Sequence, residues 1–522
     1  MNALSEAQTL GDVLRAHAAE RPDKIAFETL DGRSVTFGAF NARVNRLANA
    51  VTTLGLRKGA RLAVLAKNRP EYVEAYGVSK SGLIVVPLNW RLVAAELTKL
   101  IGHCEPELLI VDESHRELVD GLRAQMPSVK HFVLIGAARS GWLDYEGLIA
   151  SSSPTEPVSL PVPQDVLCLI YTSGTTGDAK GVAITHGAAL GNGRTAATQT
   201  LGLSEHDKTM AVMPLFHVGG MWYHLFPSFA TGCTTLVLSE FEPGVVLHEL
   251  QARRISNVHL VPTMIGALLA HPDAARADLG CVRLMFYAAS SMPADLLRRA
   301  MQTFPHCGFA QAYGSTEAGV VTVLGPEDHQ RARAPQGEHL LLSCGRPFKG
   351  HEVRLVDDAQ RSVAQGAVGE IEVRSADIMK GYWLNDEGTS RVLSGGWLKT
   401  GDLGHFDAEG YLYIVDRKND MVVTGGENVF PTEVEGYLYR DPDVLEAAVF
   451  GIPDPQWVER VVAAVVLKPG VQVSAEELIR RMRSQLAAYK CPKAIYFTST
   501  LPKSAVGKVL RKELRKQYGG PT

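Results

Sequence analysis

Residues 166–182, VLCLIYTSGTTGDAKGV, constrain this chain more than any other stretch. Val166 to Tyr171 form a short, continuous apolar run bounded by turn residues, the pattern of a buried strand. Thr172, Ser173, Gly174, Thr175, Thr176 and Gly177 follow directly, then Asp178, Lys180 and Gly181. Glycine admits φ > 0 and lets backbone N–H groups close around an anion. Four hydroxyls and one lysine add donors and charge. This composition predicts a loop that holds a nucleotide's phosphates. It is not a P-loop. Counted from Gly174 the lysine falls in register at Lys180, but Ala179 replaces the second glycine and Gly181 stands where a magnesium-binding hydroxyl belongs. A strand immediately before the loop and a lysine inside it distinguish it from a flexible connector.

Four further segments carry compatible chemistry. In QAYGSTEAG (311–319) Tyr313 offers a flat face for a purine, Gly314 a turn, and Ser315 and Thr316 hydroxyls for phosphate. Glu317 there suits Mg²⁺, which takes one or two carboxylates together with phosphate oxygens. Residues 399–435 contain Asp402, an acceptor for ribose hydroxyls, and Arg417, a planar donor that could bind them from the other side. The same stretch holds Gly425 and Gly426. Near the end, Lys508 lies between a glycine and a basic helix. In MPLFHVGGMWYH (213–224) His217 and His224 lack a third ligand at plausible spacing, which argues against a metal–histidine site.

Taken in chain order, the five segments resemble the adenylate-forming superfamily: acyl-CoA synthetases, peptide-synthetase adenylation domains and beetle luciferases. The resemblance runs from about residue 25 to 515. It implies an ATP-dependent, AMP-forming carboxylic acid–CoA ligase with ATP, CoA and Mg²⁺. By resemblance ATP or AMP is held by Thr172, Ser173, Gly174, Thr175, Thr176, Gly177, Lys180, Ala289, Tyr313, Gly314, Thr316, Asp402, Arg417 and Lys508. Lys508, His217, Thr172 and Glu317 would be catalytic, with Glu317 on the metal and Gly425 and Gly426 lining the CoA channel. The acyl pocket would be lined by Gly219, Met221, Trp222, Tyr223, Ala288 and Ala312. Asn419 would be the hinge, where the family usually has Asp or Lys. Lys503, Arg511 and Lys512 read as a solvated face. The pocket stretches contain no Arg or Lys, so a second substrate charge would go unpaired and dicarboxylates are disfavoured. Ala312 stands where relatives with deep pockets have glycine. An aromatic or medium-chain aliphatic acid is therefore expected. The alternatives are an adenylation enzyme loading a carrier protein and a catalytically inactive adenylate-binding protein.

Short apolar runs alternate with amphipathic helical patterns through the first 340 residues, as in an α/β layer structure with largely parallel sheets. Two rounds of the pattern predict two α/β subdomains. Strand-and-turn texture from about 345 predicts a small β-barrel-like unit. The expected organisation is a large domain, 1–417, followed by a small mobile α+β domain, 418–522. A net charge of −3 gives no electrostatic case for nucleic acid or an anionic membrane. Seven cysteines without a C-x-x-C fit a reducing cytosol better than a disulfide framework. The N-terminus lacks the pattern of a signal peptide, and no apolar run reaches the ~20 residues of a membrane span. A soluble, cytoplasmic protein acting on a small carboxylic acid is the expectation.

Overall fold

In the N-terminal helix Leu10–Glu20, Thr9 and Asp12 form a reciprocal capping box, and the helix stops just before Pro22. The computed structural model describes residues 3–172, 180–289, 292–418, 420–424, 427–483, 485–503 and 509–519. It divides into two units, 1–352 with 373–398 and 353–372 with 399–522.

The first unit holds two sheets. One has eight strands in the order Gly381–Tyr382, Lys180–Thr185, Val166–Thr172, Ile84–Pro87, Arg61–Leu65, Leu108–Asp112, His131–Ile135, Leu143–Asp144. Its central strands are parallel and buried on both faces, which is why they read as unbroken apolar runs. Val166–Thr172 closes this parallel set and pairs antiparallel with Lys180–Thr185. The chain thus leaves the sheet at Thr172 and re-enters opposite it at Lys180.

The second sheet has nine strands: Arg346–Pro347, Gly319–Leu324, Gly308–Ser315, Leu284–Tyr287, Asn257–Leu260, Lys208–Ala211, Thr234–Val237, Ile25–Thr29, Ser34–Thr36. Two rounds of alternation do give two sheets, but the division does not follow chain order. Ile25–Thr29 pairs parallel with Thr234–Val237, with Phe27 opposite Thr235. The aromatic ring of Phe27 explains the placement. It lies 5.0 Å from Phe40 and 6.0 Å from Phe229, inside a buried cluster.

The strands expected around 351–417 belong to an open five-stranded sheet, a path of four from which Leu412–Arg417 branches beside Trp397–Phe406. The barrel-like expectation is therefore corrected to an open sheet: its end strand is the two-residue Leu393–Ser394, too short a ladder to close on. The C-terminal part pairs Val444–Asp454 with Val458–Leu467 and adds Ala494–Phe497 in parallel. Helix Ala475–Arg483 starts where the Glu477 amide donates to Ser474 Oγ at 3.2 Å, and it buries Leu478 and Met482 against Val449, Val461 and Val465. Helix Arg511–Tyr518 covers the other face through Leu514. Arg511 departs from the solvated face expected for it. Its guanidinium donates to both Glu435 oxygens at 2.7 and 2.9 Å and to the Val449 carbonyl at 3.0 Å. Docking of the helix's first turn on the sheet buries the side chain, so charge alone misplaced it. Lys503 is likewise paired, with Glu446 at 2.5 Å.

Candidate active site

Thr172 and Lys180 face each other across the hairpin that carries the phosphate-loop sequence. The Lys180 ammonium sits 4.8 Å from the centre of the Tyr382 ring, a cation–π contact. The Tyr382 hydroxyl donates to Glu317 Oε1 at 3.1 Å. Burial, then the Glu317 charge, pushes the phenol's pKa well up, so it stays protonated and donating. The Met379 amide donates to the Glu317 carbonyl at 2.8 Å, and Gly381–Tyr382 pairs with Val182 and Ala183. Three segments far apart in sequence thereby meet at Tyr382, whose ring takes the ammonium and whose hydroxyl takes the carboxylate.

Glu317 projects from the turn between Gly308–Ser315 and Gly319–Leu324. The pairing slips between Tyr313 and Gly314, a bulge of the kind that re-aims side chains. A Cβ on Gly314 would lie 2.2 Å from the Gly319 carbonyl oxygen, so only glycine fits. Ser315 Oγ accepts from the Ala318 amide at 3.0 Å and fixes the turn. Buried Asn192 locks it from behind: its amide donates to the Ala188 and Asp377 carbonyls at 2.9 and 2.8 Å, and its oxygen accepts from the Val320 amide at 2.8 Å.

A second group of side chains gathers around His217. Buried Asn68 donates to the Met213 carbonyl and accepts from the Leu215 amide, both at 2.9 Å, and the Tyr76 hydroxyl donates to the Leu215 carbonyl at 2.8 Å. These bonds fix the backbone leading to His217, whose Nδ1 accepts from the Gly219 amide at 3.1 Å. The helix then passes through a π-helical turn, Met221–Leu225, a distortion often found at functional sites. Met221 faces the first sheet, its sulfur 4.0 Å from that of Cys168, whereas Tyr223 lies on Phe286 with ring centres 4.3 Å apart. Trp222 is buried. Ala288 follows the strand Leu284–Tyr287, Ala312 shares a strand face with Ala310, and Ala289 adopts φ +74. A left-handed alanine costs about 1–3 kcal/mol and persists only where its surroundings impose it.

In the second unit Asp402 and Arg417 stand opposite each other across a hairpin, with Arg417 Nε 3.3 Å from Asp402 Oδ1. The Asp402 amide donates to Thr400 Oγ1 at 3.1 Å, and the Lys418 amide donates to the carbonyl of Gly401, whose φ is +75. Asp402 is largely buried and Arg417 half exposed, so the pair presents one acceptor and one donor from a rigid turn.

Residues 14–383 match the AMP-binding enzyme family, and 433–508 match the AMP-binding enzyme C-terminal domain. The chain belongs to the AMP-binding enzyme family. It is an AMP-forming acid–thiol ligase of the adenylate-forming superfamily. A feruloyl-CoA synthase of an Amycolatopsis species is 36% identical over 490 residues, 94% of this chain and 95% of its own. An indoleacetate–CoA ligase of Aromatoleum aromaticum is 33% identical over 513 residues, 97% and 98% of the two chains. Among solved structures, the anthranilate CoA ligase AuaEII in complex with anthranoyl-AMP superposes with a TM-score of 0.87 at 30% identity, covering 98% of each chain.

Several expected site residues of this AMP-binding enzyme, Ser173, Gly174, Thr175, Thr176, Gly177, Asn419, Gly425, Gly426 and Lys508, lie outside the described residues. Of the rest, the first unit brings Thr172, Lys180 and Glu317 to one place and His217, Gly219 and Tyr223 to another; the second unit pairs Asp402 with Arg417. Sequence reasoning missed Tyr382, Asn192, Asn68 and His259. Gly381-Tyr382-Trp383, standing outside any periodic apolar run, was a signal for the first. Asn192 sits in a helix carrying Gly187, Gly191 and Gly193, a sequence too poor in helix formers to hold without close packing. Asn68 and His259 offered none.

Proposed function

We propose that this enzyme activates a monocarboxylic acid, aromatic or medium-chain aliphatic, as an acyl adenylate and passes the acyl group to CoA. The observation that carries the reading is the chain Lys180–Tyr382–Glu317 at the mouth of the phosphate-loop hairpin. It presents a cation and an oriented carboxylate where the triphosphate of ATP would lie. Glu317 fits Mg²⁺, since its Oε1 is anchored by a neutral hydroxyl and the carboxylate is a hard oxygen donor. Bound there, the ion would neutralise phosphate charge and favour departure of pyrophosphate.

A carboxylate oxygen attacks the α-phosphorus. The new O–P bond forms as the bond to the β-phosphate oxygen breaks, and pyrophosphate leaves. Two anions meet in this step, so fixed positive charge and orientation supply the rate. Thr172 and the loop hydroxyls from Ser173 to Thr176 donate to the phosphates, Lys180 adds charge, and Lys508 bridges carboxylate and phosphate. Tyr313 stacks on the adenine beside Gly314, Thr316 binds phosphate, and Asp402 and Arg417 hold the ribose hydroxyls. His217 borders the reacting carboxylate. In the second step the CoA sulfur attacks the acyl carbon and AMP leaves; the thiol proton passes to solvent. Residues 418–522 turn about Asn419 between steps, withdrawing Lys508 and bringing Gly425 and Gly426 to the pantetheine arm.

The apolar wall of Tyr223, Phe286, Ala288 and Ala312 supports an aromatic acid, as do the names of the feruloyl, indoleacetate and anthranilate relatives. Seven free cysteines support work in a reducing cytosol. No helix among the described residues is long and apolar enough to cross a membrane. The test is AMP release across a panel of carboxylic acids with ATP, Mg²⁺ and CoA. Aromatic monocarboxylates should give CoA-dependent turnover and malonate should not. AMP release with no acid of the panel would refute the ligase reading, and turnover with a carrier protein but not CoA would reassign the acceptor.

A further inference from the structure

His259 lies in the strand Asn257–Leu260, opposite Phe286 in register, and is almost wholly buried. Its Nδ1 is 3.1 Å from the Gly219 carbonyl, a contact that needs the proton on Nδ1. Burial holds the ring's pKa down to about 3, so the imidazole is neutral and Nε2 is a lone-pair acceptor. That Nε2 has no hydrogen-bond partner among the described residues, and neither has Nε2 of His224, whose ring centre is 5.4 Å away. Buried acceptors are rarely left unpaired, because each such group costs its full desolvation penalty.

The surroundings indicate what should fill this place. The His259 ring lies 5.1 Å from Tyr223 and 5.0 Å from Phe286, among the aromatic groups of the acyl pocket. A Cβ built on Gly219 would meet His217 Nδ1 at 3.3 Å and His259 Cε1 at 3.4 Å. Glycine at 219 therefore lets the His217 and His259 rings pack close against the same point of the backbone, which sets the His259 ring edge, with Nε2 next to Cε1, beside the residue that borders the substrate carboxylate.

Resting on the ligase reading above, we propose that His259 Nε2 accepts a hydrogen bond from a donor on the body of the acid. The preferred substrates are aromatic acids bearing a phenolic O–H or a ring N–H. The pocket reads polarity by an acceptor, and an acid without a donor leaves it unpaired.

The experiment compares matched acids that differ in the donor: 4-hydroxycinnamate with cinnamate, and indole-3-acetate with naphthalene-1-acetate. AMP release is measured for the wild-type enzyme, His259→Leu and His259→Asn. The wild type should favour the donor-bearing member of at least one pair by about tenfold in kcat/KM, the scale of one buried neutral hydrogen bond. In His259→Leu the ratio should collapse to near unity through a rise in KM for the donor-bearing acid, with the thermal unfolding midpoint as the check on folding. His259→Asn, which keeps an acceptor, should recover part of it. No preference in the wild type, or a preference unchanged in His259→Leu, overturns the inference and leaves the acceptor to a buried water. Turnover of aliphatic acids with neither aromatic pair overturns this inference alone; no AMP release with any acid overturns the ligase reading itself.

Discussion

Replacing Tyr382 by phenylalanine isolates one bond at the centre of the site. The variant keeps the ring, and with it the 4.8 Å contact to the Lys180 ammonium, and loses only the hydroxyl that donates to Glu317 Oε1. A hydrogen bond to a charged group contributes about 1.5–3 kcal/mol. Glu317 is only partly buried, so water can replace some of that, leaving about 1–2 kcal/mol of orientation. If Tyr382 positions Glu317 for the metal, that loss raises the Mg²⁺ concentration for half-maximal ATP–pyrophosphate exchange by about 5–30-fold. The maximal rate at saturating Mg²⁺ should change little, since the hydroxyl touches no reacting atom. Mn²⁺ binding in the presence of ATP, followed by the electron spin resonance of the free ion, should weaken by the same factor. An unchanged or tighter metal dependence, with only the maximal rate reduced, would refute the positioning role.

Two further outcomes follow from other parts of the chain. Lys508→Ala should lower adenylate formation by about 100-fold or more while supplied acyl-AMP is still converted to thioester; equal loss of both half-reactions would refute its assignment to the first step. Lys80 is fully buried, with its ammonium 2.7 Å from Asn41 Oδ1, 2.6 Å from Asn45 Oδ1 and 2.7 Å from Glu156 Oε2. Burial, only partly offset by Glu156, pushes its pKa down from 10.5 to about 8. Between those values the unfolded chain holds more protons than the folded one, so the contribution is complete above the unfolded pKa and lost as pH falls through the folded pKa. Wild type should thus gain about 3 kcal/mol on Lys80→Met between pH 7 and 10.5, read as a widening difference in urea midpoints. A difference flat with pH would refute the burial argument.

The pKa of Glu156 is lowered to about 2 while that of Lys80 also falls, and exposure explains why one ion pair acts so differently on its partners. Glu156 keeps part of its solvation and gains donors from Lys80, Asn41 and Asn45, whereas the ammonium of Lys80 gives up water on every side. Burial, on both partners, also decides Arg511. Its sequence context, a basic run near the chain end, reads as solvated, yet it is the donor that neutralises buried Glu435.

Legibility in the sequence followed the range of the interaction. The strands Arg61–Leu65, Leu108–Asp112 and His131–Ile135 fall on the short apolar runs that the alternation marks out, because burial on both faces leaves a continuous apolar signature. The turn around Glu317 and the helix start at Ser474 are local as well, each fixed by a bond spanning three residues. The candidate site residues that the sequence singles out are those whose chemistry is unusual where they stand: hydroxyls and lysine in a glycine loop, a carboxylate in a turn.

By itself the sequence determined which stretches become strands and helices, and which loops carry charge and hydroxyls, since these depend on periodicity and on contacts within one turn. Only the tertiary structure decided that Tyr382 reaches Glu317 from 65 residues away, that Asn192 ties to Val320 across 128, and that Ile25–Thr29 completes a sheet begun two hundred residues later. Such partners are selected by the free energy of packing the whole unit, where a polar atom must find its match once water is excluded. No window of neighbouring residues contains that information.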